Sequence, residues 1–157
     1  MIQRIQSLFL IIAAVACILL FFIPFGNYYN PEIAIVRFDV RGIHHISPDP
    51  QELFNKYLVI IPFIFNIAIM GLSFWAFYSF KERTQQLKLV RFAVMANIIF
   101  VAIIFYFCYS LENQLKVPTQ YNYFGICLPL LSLVMLILAY RAINKDDKLV
   151  RAADRLR

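Results

Sequence analysis

Four long stretches of this chain contain no charged side chain, and they restrict its fold more than any other feature. They cover residues 5–31, 57–80, 92–111 and 117–140, so all 15 basic and 9 acidic side chains lie in the other 62 of 157 residues. A helix that crosses a membrane needs about 20 mostly apolar residues in succession. The sequence therefore predicts an all-α membrane protein, a single domain over residues 1–157 built as a bundle of four transmembrane helices.

The boundaries of the predicted spans follow from the charges, prolines and aromatic residues that flank them. We expect the four spans at about residues 5–25, 57–80, 90–111 and 122–141. The helix that contains the third span is expected to extend beyond it, from about residue 84 to about residue 113. A loop over residues 26–56 follows the first span, and a helical tail over residues 142–157 follows the fourth. The apolar run continues past Cys17, whereas a cleaved lipoprotein signal turns polar after its cysteine. The first span is therefore expected to remain as a membrane anchor.

Basic residues divide unequally between the two sides of such a bundle. Eleven lie near the N-terminus, between the second and third spans, and in the tail, whereas four lie in the two loops of the opposite side. Positive residues beside short loops are retained in the cytoplasm, so both termini are predicted to be cytoplasmic and the loop over residues 26–56 external. The net charge of +6 is attributed to orientation and lipid headgroups, and no binding to nucleic acid is expected.

The external loop carries a strand signal and a helix start. Val36, Phe38 and Val40 alternate with charged residues, which is typical of a strand with one buried face. A single strand is not stable alone, so we expect a small β segment between the first two helices. The strand would pair with another part of the loop, with the link over residues 113–121 or with a partner protein. The second helix is predicted to begin with Asp49 as its N-cap.

Polar side chains are rare in the charge-free stretches, and none of them is a histidine. Proton-coupled and ion-coupled transporters usually carry ionisable groups inside the membrane, so proton coupling is disfavoured. We interpret Asn66, Ser73 and Asn97 as polar contacts between helices, with a contact to a ligand or substrate as the alternative. Ser73 and Asn97 are predicted at similar depth and could face each other, in a hydrogen bond worth about 0.6 to 2 kcal/mol.

No group of residues in the sequence has the pattern of a catalytic or metal site. Adjacent histidines on a strand point to opposite faces, so a metal or pH-sensing site at His44 and His45 is only an alternative to a solvated pair. Cys17, Cys108 and Cys127 lie within spans and are interpreted as small apolar side chains, although a Cys108–Cys127 disulfide is geometrically conceivable. We expect no enzymatic activity, no metal and no cofactor.

The end of the chain carries a narrow apolar stripe. Its members recur at steps of three and four residues, at Ala139, Ala142, Asp146, Leu149, Ala153 and Leu156. This spacing predicts that the fourth helix continues beyond the membrane as an amphipathic helix. The stripe could pack on the link over residues 81–91, lie on the bilayer surface or dock a partner.

Three segments carry a resemblance to a known family: MIQRIQ at residues 1–6, the link over residues 81–91 with its paired glutamines, and the end over residues 141–157 with VRAADRLR. Over its whole length the chain resembles a family of small four-helix membrane proteins, a domain of unknown function from Bacteroidetes-type bacteria. The resemblance implies a bacterial inner-membrane protein and no particular activity. Because these segments are all predicted cytoplasmic, we expect a polar interaction surface formed by Gln3, Arg4, Gln6, Arg83, Leu149, Arg151, Asp154 and Arg155.

Two functions of different class fit these features. The first is a non-catalytic accessory subunit or assembly factor of a larger bacterial inner-membrane complex, such as protein-export or respiratory machinery, with membrane lipids and a membrane protein as partners. The lack of charge in the spans and the unpaired outer strand favour it. The alternative is a small transporter or lipid-binding membrane protein that uses the space around Asn66 and Asn97.

Overall fold

A computed structural model describes most of the chain and shows a mainly helical protein. The residues that it describes are 2–30, 34–45, 60–80, 82–118 and 120–155. The helices are α1 (Ile2–Leu19), α2 (Ile61–Tyr78), α3 (Arg83–Leu115) and α4 (Tyr123–Arg155). The strands are β1 (Gly26–Asn30), β2 (Ala34–Asp39), β3 (Gly42–His45) and β4 (Gln120–Tyr121).

The four helices form an antiparallel bundle in which each helix packs mainly on two neighbours. Helix α1 contacts α2 and α4, and α3 contacts the same two helices from the opposite side. The strands lie at one end of this bundle, here called the sheet end. The other end is here called the terminal end. It contains the first turns of α1, the turn between α2 and α3, and the last turns of α4.

Buried residues recur at alternating steps of three and four along every helix. In α2 they are Pro62, Asn66, Ile69, Ser73 and Ala76. In the first half of α3 they are Gln86, Val90, Ala93, Asn97 and Phe100. Matching series in α1 and α4 are Gln6, Leu10, Ala13 and Cys17, and Ser132, Leu136, Ala139 and Ile143. A repeat of 3.5 residues keeps one seam of each helix facing its neighbours, which is the packing of left-handed bundles.

The outer surface of the bundle is apolar. Large side chains such as Ile64, Trp75, Met95 and Val134 are exposed on it, while several polar side chains are buried inside, namely Gln6, Asn66, Ser73, Gln86, Asn97 and Ser132. A soluble protein rarely exposes so much contiguous apolar surface. Among the described residues, three helices are long and apolar enough to cross a membrane, at Ile61–Tyr78, Arg83–Leu115 and Tyr123–Val150.

Helix α1 is shorter than the sequence predicts. Its apolar part is Ile5–Leu19, below the length of the other three. A first span through residue 25 was expected, but the helix ends at Leu19 and tightens into turns in which Phe21 and Phe22 donate to carbonyls three residues back. The cause is Pro24, which has no N–H and disfavours helical backbone at the residue before it. Phe25 then donates its N–H to the carbonyl of Phe38 and leads into β1.

The sheet is antiparallel, with strand order β3-β2-β1-β4. Val36 is opposite Tyr28 of β1 and His45 of β3, so the predicted strand pairs with two other parts of the loop. The link between α3 and α4 joins the sheet by pairing β4 with β1. Val36, Phe38 and Val40 are all fully buried, as the alternation predicts for one face of a strand.

The two long helices have nearly the bounds that the sequence predicts. Helix α3 was expected near residues 84–113 and runs from Arg83 to Leu115, and α4 was expected from residue 122 and begins at Tyr123. Helix α4 continues without interruption to Arg155, so the tail is an extension of the fourth helix. The predicted start of the second helix at Asp49 lies outside the described residues.

Candidate functional site

A layer of polar residues crosses the bundle, with one residue from each helix. We call Cys17, Asn66, Asn97 and Ser132 the polar layer. Asn66 Nδ2 donates to the carbonyl oxygen of Cys17 at 3.0 Å, and Asn97 Nδ2 donates to Ser132 Oγ at 3.0 Å. The sulfur of Cys17 lies 3.7 Å from the same hydroxyl oxygen. These contacts link all four helices through neutral groups.

The two asparagines of the polar layer are buried from solvent, yet not all of their polar atoms have hydrogen-bond partners. Asn66 and Asn97 are 0% and 1% exposed, and the side-chain oxygen Oδ1 of each has no hydrogen-bond partner. An amide carries two acceptor lone pairs on this oxygen as well as its two donors. The layer therefore presents two acceptor oxygens without partners, while each amide nitrogen donates one hydrogen bond within the bundle.

Ser73 does not join this layer. Its hydroxyl donates to the carbonyl of Ile69 in the same helix at 2.7 Å, and Asn97 bonds to Ser132 instead of Ser73. Ser73 and Asn97 were predicted to lie at similar depth and could have faced each other, but that depth is wrong. With Gln86 bonded to Ala76, Ser73 is three residues from this level along α2 and Asn97 is eleven residues from it along α3. Their depths therefore differ by about 12 Å at 1.5 Å per residue. A buried serine that bonds back to its own helix satisfies its hydroxyl without a neighbour.

Two further residues of the layer were not singled out as contacts from the sequence. Cys17 was interpreted as a small apolar side chain, and Ser132 is a lone serine in an apolar run. Their spacing could have indicated that they are buried. Ser132 lies seven residues before Ala139, and Cys17 lies seven residues after Leu10, and both Ala139 and Leu10 are buried. A seven-residue repeat marks the buried seam of a helix before any partner is known.

The terminal end holds a second group of contacts between helices. Gln6 Nε2 donates to the carbonyl of Ala142 at 3.2 Å, and Gln86 Nε2 donates to that of Ala76 at 3.0 Å. Arg83 Nη1 lies 3.3 Å from the carboxylate of Asp146 and 3.4 Å from its backbone carbonyl. The link between α2 and α3 is thereby joined to α4.

Gln6 corrects one expectation about this end. It was predicted to lie on the polar interaction surface, but it is only 4% exposed and packs between α1 and α4. Its long side chain reaches a backbone carbonyl of α4, which gives its amide a partner that solvent would otherwise supply. Of the other predicted surface residues, Arg83 is partly exposed and Leu149 is 52% exposed. The remaining five have side chains outside the described part of the structure, and they are Gln3, Arg4, Arg151, Asp154 and Arg155.

Helix α4 extends past its neighbours at the terminal end. Gln6 bonds to Ala142 and Arg83 pairs with Asp146, and both residues lie at the starts of their helices, so residues 147–155 of α4 extend past the starts of α1 and α3. Nine residues of helix are about 13 Å long at 1.5 Å per residue. Leu149 and Val150 are exposed on this extension. The extension is a short helical projection with apolar side chains on its surface.

A charged cluster lies on the outward face of the sheet. The Asp39 carboxylate accepts hydrogen bonds from the N–H of Arg41 at 2.7 Å and of Gly42 at 3.2 Å. His44 Nε2 lies 3.4 Å from it and Arg37 Nε lies 3.9 Å from it. The carboxylate therefore holds the turn between β2 and β3 and faces two basic side chains.

Metal-binding and disulfide chemistry find no support in the part of the chain that the structure describes. Within it, no three His, Cys, Asp or Glu side chains come close enough to share a metal ion. The side chain of His45 lies outside that part. The three cysteines are free thiols, with Cys17 and Cys108 buried and Cys127 exposed. The conceivable Cys108–Cys127 bridge is not formed.

An apolar groove of about 540 Å³ opens on the outer surface of α3 beside the first turn of α2. Aliphatic side chains and two aromatic rings line it, namely Ile61, Ile98, Ile99, Ala102, Ile103, Tyr106 and Phe107. Residues 46–59, which precede α2, lie outside the described residues. The groove can accept hydrocarbon and offers little to a polar ligand.

Comparison with known proteins gives a family and no activity. No curated protein matches the chain. The sequence profile of one family, described as a domain of unknown function (DUF4293), matches residues 2–156. This match covers nearly the whole chain and includes every helix and strand that the structure describes. The chain therefore belongs to the family described as a domain of unknown function (DUF4293).

Proposed function

We propose that the protein is a non-catalytic accessory subunit or assembly factor of a larger complex in the bacterial inner membrane, such as protein-export or respiratory machinery. The observation that carries the proposal is the projection of α4, on which Leu149 and Val150 are exposed. Exposed apolar side chains on a helix that has left its own bundle are the usual anchors of a helix-in-groove contact with another protein. The partner would be a membrane protein with a complementary apolar groove near the membrane surface.

The proposal places all four helices across the membrane, including the shorter α1. Two observations support this: α1, whose apolar part is the shortest, shares the polar layer with the other three helices, and the outer surface of the bundle is apolar. Exposed aromatic rings also lie towards both ends, where such rings prefer the membrane interface. They are Trp75, Tyr78, Phe80 and Phe92 towards the terminal end, and Tyr106, Tyr109, Tyr121, Tyr123 and Phe124 towards the sheet end.

In this proposal the terminal end faces the cytoplasm. It carries eleven of the fifteen Lys and Arg residues, and the loops of the sheet end carry four. The positive-inside rule assigns the richer side to the cytoplasm. The projection of α4 would then meet a cytoplasmic or juxtamembrane partner, and the sheet would lie on the external side. Thiol-labelling of single cysteines introduced at Leu149 and at Arg41 in sealed cells tests this orientation.

Purification from native membranes tests the accessory role. A tag at the N-terminus leaves the projection of α4 unmodified, and mild detergent keeps complexes together. We expect a membrane protein to co-purify in a fixed ratio with the wild type. The ratio should fall at least tenfold when Leu149 and Val150 are both replaced by Ser. It should stay unchanged when Lys145 and Lys148, which lie on the same helix, are replaced by Ser.

The same experiment has outcomes that contradict the proposal. Recovery of the wild type only as a free protein would oppose a stoichiometric partner. An equal loss of partner with the lysine pair and with the apolar pair would show that charge, and not the apolar face, makes the contact. Thermal unfolding of each variant in the same detergent shows whether the bundle itself is intact.

A second candidate, a lipid-binding membrane protein, is supported by the apolar groove on α3. Native mass spectrometry in mild detergent would detect a retained lipid. A tryptophan in place of Ile99 should fill the groove and reduce retention, whereas Met95→Trp adds the same ring one turn away, at an exposed position that does not line the groove. Equal lipid retention by both variants would oppose this candidate.

A further inference from the structure

The two asparagines of the polar layer lie at the same depth in neighbouring helices. The hydrogen bond from Gln86 to Ala76 sets the register between α3 and α2. Asn97 is eleven residues further along α3, and Asn66 is ten residues back along α2. Because the helices are antiparallel and rise 1.5 Å per residue, the two positions differ in depth by about one residue.

The hydrogen-bonded chain of the polar layer has an opening at a defined place. It connects α2 to α1 through Asn66 and Cys17, α1 to α4 through Cys17 and Ser132, and α4 to α3 through Ser132 and Asn97. The described contacts of the layer do not connect α3 back to α2. The unpartnered oxygens belong to Asn66 and Asn97, the residues at the two ends of this chain.

The chemistry of this opening restricts what can occupy it. Two acceptors at one depth require a ligand with two donors, and full burial restricts its size. The layer is neutral, so it has no carboxylate to offset the cost of burying a cation. A water molecule has two O–H groups and typically bridges buried polar groups that lack partners.

We propose that the polar layer binds one water molecule between α2 and α3, which donates one hydrogen bond to Asn66 Oδ1 and one to Asn97 Oδ1. The bound water closes the chain into a ring that connects all four helices. This site is independent of the proposed accessory role, because it lies inside the bundle and away from the projection of α4.

The wild-type protein decides the first part of the test. It is labelled with ¹⁵N-asparagine, reconstituted in nanodiscs and measured by water-edited NMR. We expect magnetisation transfer from water to the side-chain amide protons of Asn66 and Asn97. Transfer to neither amide would overturn the proposal. A shift of both amide signals when choline is replaced by sodium or potassium at constant ionic strength would identify a cation as the ligand and overturn it as well.

A variant distinguishes a shared water from two separate ones. Asn97→Leu removes one acceptor, and transfer to the unaltered Asn66 amide should fall at least fivefold because the bridge is lost. Ser73→Ala is the matched control, since Ser73 is equally buried in α2 but bonds within its own helix. It should leave both signals unchanged. Undiminished transfer to Asn66 in Asn97→Leu would overturn the bridge, and Asn66→Leu read at Asn97 gives the reciprocal test if the first variant does not fold.

Discussion

The phenol oxygen of Tyr28 donates a hydrogen bond to the backbone carbonyl of Cys108 at 3.1 Å, and this contact fastens strand β1 to helix α3. Tyr28 is 1% exposed, whereas its neighbour Tyr29, on the other face of the strand, is 55% exposed. The sheet is therefore attached to the bundle by a specific polar contact as well as by apolar packing.

Removal of the Tyr28 hydroxyl should weaken the whole fold. A buried hydrogen bond contributes about 1 kcal/mol, so Tyr28→Phe should lower the free energy of unfolding by about that amount. Tyr29→Phe removes the same group from an exposed position and should change stability by less than about 0.5 kcal/mol. Denaturation of both variants in one detergent gives the comparison. Equal effects of the two substitutions would contradict the role of the Tyr28 contact.

Gly125 permits a close approach between the segment that follows α1 and the first turn of α4. A Cβ atom at this position would overlap the carbonyl oxygen of Pro24, which is backbone and cannot move aside. Gly125→Ala should therefore lower stability by about 1–3 kcal/mol, the usual cost of overpacking.

Gly71 provides the control for this substitution. It lies inside α2 and has no atom within 4 Å of where its Cβ would be. Gly71→Ala should leave stability unchanged or raise it by up to about 1 kcal/mol, because alanine favours helices. The melting temperature of Gly125→Ala should fall below that of the wild type, whereas that of Gly71→Ala should stay the same or rise. A Gly125→Ala protein as stable as Gly71→Ala would show that the approach to Pro24 is not needed.

Asp39 should matter more for its hydrogen bonds than for its charge. Its Oδ1 accepts from the N–H groups of Arg41 and Gly42 in the turn between β2 and β3. Asp39→Ala leaves both donors without this acceptor and should cost about 1–3 kcal/mol. Asp39→Asn retains an acceptor oxygen and should cost less, even though it removes attraction to His44 and Arg37. Chemical denaturation of both variants compares their losses of unfolding free energy. A larger loss in Asp39→Asn than in Asp39→Ala would show that the charge matters more than the hydrogen bonds.

The contact between Arg83 and Asp146 should be modest and sensitive to salt. Its side chains are 28% and 15% exposed, so solvent still screens the pair. A double-mutant cycle with Arg83→Gln and Asp146→Asn should give a coupling of about 0.5 to 1 kcal/mol that decreases in higher NaCl. A coupling indistinguishable from zero at low salt would mean that Arg83 and Asp146 lie close together without stabilising the protein.

The sequence predicts much of this fold because charge-free stretches and alternating residues report local geometry. Helix α3 begins and ends within two residues of its expected bounds, and the buried face of Val36 and Phe38 follows from their period. Partners are harder to predict, since a partner depends on rotation and register of a second element. Ser73 shows the limit, because counting from the span ends predicted neither its depth relative to Asn97 nor its bond to Ile69.

Two further differences have the same kind of cause. Gln6 is polar and near a chain end, so composition assigns it to the surface, but a carbonyl of α4 lies within its reach. The strand β1, GNYYN, has no clear alternation that would separate it from a turn, and its pairing with β2 and β4 appears only when distant residues are brought together. The polar layer is in part predictable, because Asn66 and Asn97 are conspicuous in apolar helices.

The sheet has a mechanical consequence for the bundle. It pairs β1 with β4, and the N–H of Asn122 donates to the carbonyl of Phe25, so the segments beside α1 and α4 are joined through backbone hydrogen bonds. Separating the helices there requires breaking strand pairing, whereas the terminal end is held by side chains such as Gln6 and Arg83. The sheet therefore holds the segments beside α1 and α4 together at its end of the bundle. If the helices separate, the separation would be greatest at the opposite end, at the last residues of α4.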